Sequence, residues 1–139
     1  MRRRAWLAGL AAAVPIQALA TCHCIEPAIR QAYDHSGVIA MVQIQVIEPL
    51  PDGGVRAEAE VFRAWKGNLQ KMVTFVARSG CDYPVAPGEE HLLYFTIEDG
   101  DRLETARCRG NRPVAESAVS LHWLNRFGQV GAIAEESDR

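Results

Sequence analysis

The chain has 139 residues, 48% of them hydrophobic, and a formal net charge of −2 from 15 Lys+Arg and 17 Asp+Glu. This length supports one domain with a modest core. The slightly acidic balance argues against nonspecific nucleic-acid binding, which needs cations to neutralise phosphates.

Residues 1–20 read as an export signal. Arg2, Arg3 and Arg4 form a basic start, Trp6 to Ile16 is apolar, and Ala18-Leu19-Ala20 is a small-residue cleavage site. The apolar run is shorter than the roughly 20 residues that cross a bilayer. Cleavage after Ala20 makes Thr21 the first mature residue. The remaining 119 residues then carry 12 basic and 17 acidic side chains, a net charge near −5. Lipidation of Cys22 is a second reading of the same region, and Arg3-Arg4 weakly resembles a twin-arginine export signal. No later run approaches membrane-spanning length, so no membrane span is expected.

The mature domain is expected over residues 21–128. Its only cysteines are Cys22, Cys24, Cys81 and Cys108. Four cysteines in an exported chain favour two disulfides over a metal site. A Cys22–Cys24 bridge across one residue would be strained, which leaves two pairings that tie the N-terminus to Cys81 and Cys108. Each bridge closes a loop of about 60 to 85 residues and contributes roughly 4 kcal/mol in the chain-entropy model, less for the second because the loops overlap.

Glu26 to Tyr33 reads as a short helix with Pro27 in its first turn, ended by Asp34, Ser36 and Gly37. Val38 to Ile47 is a long strand, apolar on both faces at first and alternating later. Asp52-Gly53 marks a turn, and Val55 to Trp65 returns with Val55, Ala57, Ala59, Val61 and Arg63 on one face. Phe62 and Trp65 interrupt that alternation, which predicts a bulge there. After a Lys66-Gly67-Asn68 turn come strands at Met72 to Ala77, Glu90 to Ile97 and Leu103 to Cys108. Glu98 to Asp101 is a hairpin turn. Pro113 is expected to open a helix that runs to about Phe127, and residues 129–139 read as a flexible tail. The expected architecture is all-β, a five-stranded Greek-key barrel with a helix at each end.

The order of several of these features resembles the netrin-like module, and in particular the N-terminal domain of tissue inhibitors of metalloproteinases. The residues concerned are Cys22-His23-Cys24, Pro27, Val38 to Ile47, Trp65-Lys66-Gly67, Cys81-Asp82-Tyr83, Glu89 to Leu93, Asp99-Gly100 and Cys108, spread over residues 22–112. The resemblance implies an OB-like barrel and the disulfides Cys22–Cys81 and Cys24–Cys108. It also implies a function: the amine and carbonyl of the first cysteine chelate the zinc of a target metalloprotease, whose catalytic metal keeps an open position. Cys22 would then be the protease-zinc contact. His23 would enter the specificity pocket, flanked by Arg78, Ser79 and Gly80. This geometry requires Cys22, not Thr21, to be the mature N-terminus. The alternative expectation is a non-inhibitory structural or protein-interaction module of the cell envelope. In either case the chain is expected to be exported, periplasmic or extracellular, with lipid anchoring as a further option.

Other candidates are weaker. With Thr21 first, a free amine, two amides and His23 could form a square-planar Cu(II) or Ni(II) site. His35, His91 and His122 are isolated and read as ordinary surface or core histidines. Glu89 and Glu90 are adjacent in a strand and point to opposite faces. No H-E-x-x-H, G-x-S-x-G or phosphate-cradling loop is present, so the expectation is a non-enzyme without a cofactor. In the C-terminal helix, Val114, Ala118 and Leu121 are expected to pack on the barrel. Val119, Trp123 and Phe127 form a second stripe suited to a partner.

Overall fold

In the computed structural model the described residues are 22–78 and 81–135. The expected export signal, Thr21, Ser79, Gly80 and residues 136–139 lie outside them. The elements in chain order are α1 (Ile29–His35), β1 (Val38–Pro49), β2 (Val55–Trp65), β3 (Leu69–Gln70), β4 (Met72–Ala77) and β5 (Glu90–Glu98). There follow β6 (Arg102–Thr105), β7 (Arg112–Pro113), a 3₁₀ turn (Val114–Glu116), α2 (Ala118–Phe127) and β8 (Ile133–Ala134).

β1 is the strand on which the fold closes. It pairs antiparallel with β2 on one side and, from Val38 to Gln43, with β5 on the other. β2 pairs antiparallel with β4, β4 parallel with β6, and β6 antiparallel with β5. The result is a closed five-stranded barrel in the order β1-β2-β4-β6-β5, an OB-like all-β fold with two short helices.

The two-faced apolar start of β1 has a direct structural meaning. Val38, Ala40, Val42 and Ile44 point into the barrel with Leu93, Phe95, Phe75 and Leu103. Ile39, on the other face, joins Trp65, Leu92, Tyr94, Ala32 and Leu124 in a second core under the helices. A strand buried on both faces loses the polar alternation of a half-exposed one. The small side chains Ala57 and Ala59 on β2 leave room for the Phe75 and Phe95 rings, whose centroids are 5.2 Å apart. Burying either ring contributes roughly 1.5–3 kcal/mol.

The expected bulge in β2 falls at Phe62. Met41 pairs with Arg63 and Val42 with Val61, so Phe62 has no opposite residue. This extra residue flips the alternation, which sends Ala64 inward and Trp65 out to the second core. At the expected hairpins, the Asp52 carboxylate accepts the Gly54 N–H at 2.9 Å. Gly100 and Asp101 both take positive φ between β5 and β6.

Several expectations are corrected. The first helix starts at Ile29, after Pro27 rather than around it. Lys66 closes its far end by donating from Nζ to the carbonyls of Tyr33 and Asp34, a favourable place for a cation. The last barrel strand stops at Thr105, and Cys108 sits in the following turn with φ 58°. Asn111 fills the gap that this leaves. Its Oδ1 accepts the Tyr94 N–H at 2.7 Å, and its Nδ2 donates to Thr105 Oγ1 and the Ala106 carbonyl.

Pro113 precedes only a single 3₁₀ turn, Val114–Glu116, and does not open the helix that runs to Phe127. It lies in β7 opposite His91, at a sheet edge where its missing N–H is tolerated. Because α2 begins only at Ala118, Val114 is not on it, and Ala118 is exposed. The buried face is Ser120 and Leu124, with Leu121 partly buried. Residues 129–135 are tied back rather than loose. The Gln129 carbonyl accepts the Lys66 N–H at 2.8 Å, and β8 pairs parallel with β3. Among the described residues, no helix is long and apolar enough to cross a membrane.

Candidate functional site

The disulfides are Cys22–Cys81 and Cys24–Cys108, with Cα separations of 5.2 and 6.0 Å. The sulfurs of Cys22 and Cys24 lie 3.6 Å apart, so the two bridges touch. They lay residues 22–24 across two segments that are themselves joined: the Arg107 N–H donates to the Cys81 carbonyl at 2.7 Å, and Arg107 Nε to the Asp82 carbonyl. Glu26 adds a third tie, accepting the Gly110 N–H at 2.9 Å. Gly110 has a φ of 104°, and a Cβ there would come within 2.9 Å of Ala32, so a glycine is needed at that tie.

This N-terminal ridge is solvent-facing. His23 and Cys24 are exposed, and Ile25 keeps 91% of its surface accessible. Beside it is a cleft of about 500 Å³ lined by Ile25, Glu26, Gln31, His35, Cys108 and Arg109. Sequence reasoning singled out His35 only as an isolated turn histidine, and it missed Ile25 and Arg109. The one available signal was the apolar Ile25 directly after Cys24, with no periodicity to place it in a core.

Beneath the ridge, Tyr83 reaches down to plug this end of the barrel, packing on the inner core with Val85 and Ile47. Its hydroxyl meets His91 Nδ1 at 2.9 Å, and His91 Nε2 faces Glu89 Oε1 at 3.4 Å. His91 is 3% exposed, a core histidine with both ring nitrogens occupied. Burial pushes the Tyr83 hydroxyl up to about 12, assisted by the nearby Glu116 and Glu89.

Of the residues expected to flank a specificity pocket, Arg78 is described, while Ser79 and Gly80 are outside the described residues. The Arg78 guanidinium is held as a fork by Glu104, Nε at 2.9 Å and Nη2 at 2.7 Å. Arg102 Nε approaches the same carboxylate at 2.9 Å. The Arg78 hydrogen bonds hold Glu104 below the usual carboxylate range. The Arg78 guanidinium is thus paired with the β6 carboxylate while its side chain stays 58% exposed.

The Val119-Trp123-Phe127 stripe lies apart from the ridge, on α2. Val119 is 74% and Phe127 61% exposed. Trp123 is partly buried between Tyr33 and Phe127. His122 is exposed on the same helix. Among the described residues, no group of three or more His, Cys, Asp or Glu is arranged to hold a metal. The arrangement of Thr21 with His23 falls outside the described residues.

The ridge presents backbone groups and the exposed His23 and Ile25 side chains on a segment held by two disulfides. In comparisons with known proteins, no family model and no curated protein matches the chain.

Proposed function

We propose that this chain is an exported, non-enzymatic binding module whose working edge is the ridge Cys22-His23-Cys24. Its most specific form is that of a metalloprotease inhibitor of the netrin-like type. In that form the mature chain begins at Cys22, whose amine and carbonyl chelate the target's zinc while His23 enters the adjoining pocket. The observation that carries this reading is the ridge itself, an exposed N-terminal segment clamped by two touching disulfides onto Cys81 and Cys108. Pre-organisation of this kind lowers the entropy cost of inserting a segment into a cleft. Two disulfides also fit a chain that leaves the reducing cytoplasm.

The test is mass determination of the mature N-terminus, followed by inhibition assays with that species against a panel of zinc proteases. A Cys22 start with tight-binding inhibition supports the reading. A Thr21 start with no inhibition removes it, because the amide nitrogen of an internal Cys22 cannot chelate.

A second reading, a structural or interaction module of the cell envelope, is favoured by the exposure of Val119 and Phe127 on α2. It would leave the ridge as a staple only.

A further inference from the structure

Between α1 and α2 lies a crevice of about 380 Å³ lined by Arg30, Tyr33, Asp34, Trp123 and Phe127. Its volume is within the range of small-molecule sites. Three of these five residues are aromatic. Tyr33 and Trp123 have centroids 5.4 Å apart at 60°, and Trp123 and Phe127 5.5 Å apart at 45°. Rings at such angles form walls instead of a closed stack.

Two of the walls are fixed from behind. Trp123 packs on the second core, and the Tyr33 hydroxyl accepts the Gln129 N–H at 3.0 Å. Phe127, 61% exposed, is the outer wall.

The remaining two residues carry opposite charges. Arg30 Nε and Asp34 Oδ2 are 4.0 Å apart with side chains 84% and 60% exposed. That separation is too long for a hydrogen bond, and an exposed pair on one helix gains little from its attraction. Both charges are thus open to a ligand. The rings already attract cations elsewhere: Lys66 Nζ is 4.8 Å from the Tyr33 centroid and Arg126 Cζ 5.5 Å from that of Phe127. Neither cation lines the crevice.

Aromatic walls with a carboxylate beside them suit a cation that has no protons to donate, because ring faces attract charge without needing hydrogen bonds. A guanidinium at the same rim suits an anionic group, which it binds as a planar fork. A purely apolar occupant would leave both charges unused. We propose that this crevice binds a zwitterion joining a quaternary ammonium to an anionic group, the chemistry shared by choline phosphate, glycine betaine and the phosphatidylcholine headgroup. The ammonium sits against Trp123 and Phe127 next to Asp34, and the anionic group meets Arg30.

The experiment is calorimetric titration of the purified domain with choline phosphate, glycine betaine, tetramethylammonium and ethanolamine phosphate, paired with co-sedimentation on phosphatidylcholine vesicles. Choline phosphate or glycine betaine should saturate, and ethanolamine phosphate should bind about tenfold more weakly. Phe127→Ala removes an exposed ring and should retain the wild-type melting temperature while losing about tenfold in affinity. Arg30→Ala should weaken choline phosphate and leave tetramethylammonium unchanged, whereas Asp34→Asn should weaken tetramethylammonium. Saturation by the soluble zwitterions without co-sedimentation assigns a free solute, and co-sedimentation assigns a lipid headgroup. Absence of saturation by both zwitterions together with absence of co-sedimentation overturns the proposal. So does binding that a folded Phe127→Ala variant retains in full.

Discussion

The two ends of the barrel are built on opposite plans. At the end where β4 finishes and β5 begins, Tyr83 and Val85 plug the interior and two disulfides lie across the plug. At the other end, β6 reaches β4 only over Phe75 to Ala77. A crevice of about 630 Å³ opens there between Met72 to Thr74 and the β5–β6 hairpin, floored by Val38, Leu69 and Leu103. Ile133, from the short β8 pairing, packs partly buried against the inner core there. Covalent bonds cross one end, whereas the other is covered by the two residue pairs of the β3–β8 ladder. The stapled end is therefore expected to hold its shape while the open end breathes, as suits a rigid binding edge.

The largest break in this contrast is removal of both bridges by replacing all four cysteines with serine. The bridges span 59 and 84 residues, and the loss of the first should cost about 4 kcal/mol, with less for the second. Chemical denaturation should show the double loss exceeding either single loss but falling short of their sum. Next is Leu69→Ala at the open end. Leu69 is 8% exposed, so the cost should be about 2 kcal/mol, at the lower edge for a buried leucine. A cost equal to that of a bridge would show the open end to be as tightly integrated as the stapled one.

The third prediction concerns alkali. Burial raises the hydroxyls of Tyr83 and Tyr94 to about 12. Both stay protonated in the fold at pH values where the unfolded chain, titrating near 10, releases protons. Stability should be fully present below about pH 10 and fall as pH rises toward 12. Denaturation curves with tyrosinate absorbance will report it, and Tyr83→Phe should flatten part of the slope.

The smallest effect is on the acid side. Glu104 is held below its ordinary range chiefly by Arg78. Its contribution is present above the unfolded carboxylate value and is lost as pH falls through the folded one. Arg78→Ala should be less stable than wild type at neutral pH, with the difference shrinking on acidification. A gap that stays constant with pH would mean that Arg78 acts through packing alone.

The sequence made the barrel legible where one physical rule dominates. The double-sided apolar start of β1 announced a strand covered on both faces, and the irregularity at Phe62 announced the bulge. Legibility failed where distant residues decide. Pro113 follows helix-opening rules locally, yet the free edge beside His91 recruits it into β7. The Val114-Ala118-Leu121 spacing described a helix that begins at Ala118 instead, so its face was misassigned. β3 and β8 are two residues each, too short for any periodicity to register. For the candidate site, the cysteines and His23 were visible as a motif. The crevice was not, because Tyr33 and Trp123 are separated by the whole barrel in sequence and meet only through α1 and α2.

The bridges also carry a consequence for how the molecule is made. In chain order the cysteines are 22, 24, 81 and 108, and the pairs 22–81 and 24–108 interlace. A ribosome delivers Cys22 and Cys24 together, long before either partner exists. Once Cys81 appears it can oxidise with either of them, and a Cys24–Cys81 bond would trap the chain in a wrong pairing. Reaching the native pairs then requires thiolate attack on a premature bond and exchange through mixed disulfides, a step of seconds to hours depending on oxidant and isomerase. The yield of correctly paired protein should therefore depend on disulfide isomerase activity more than on the supply of oxidant.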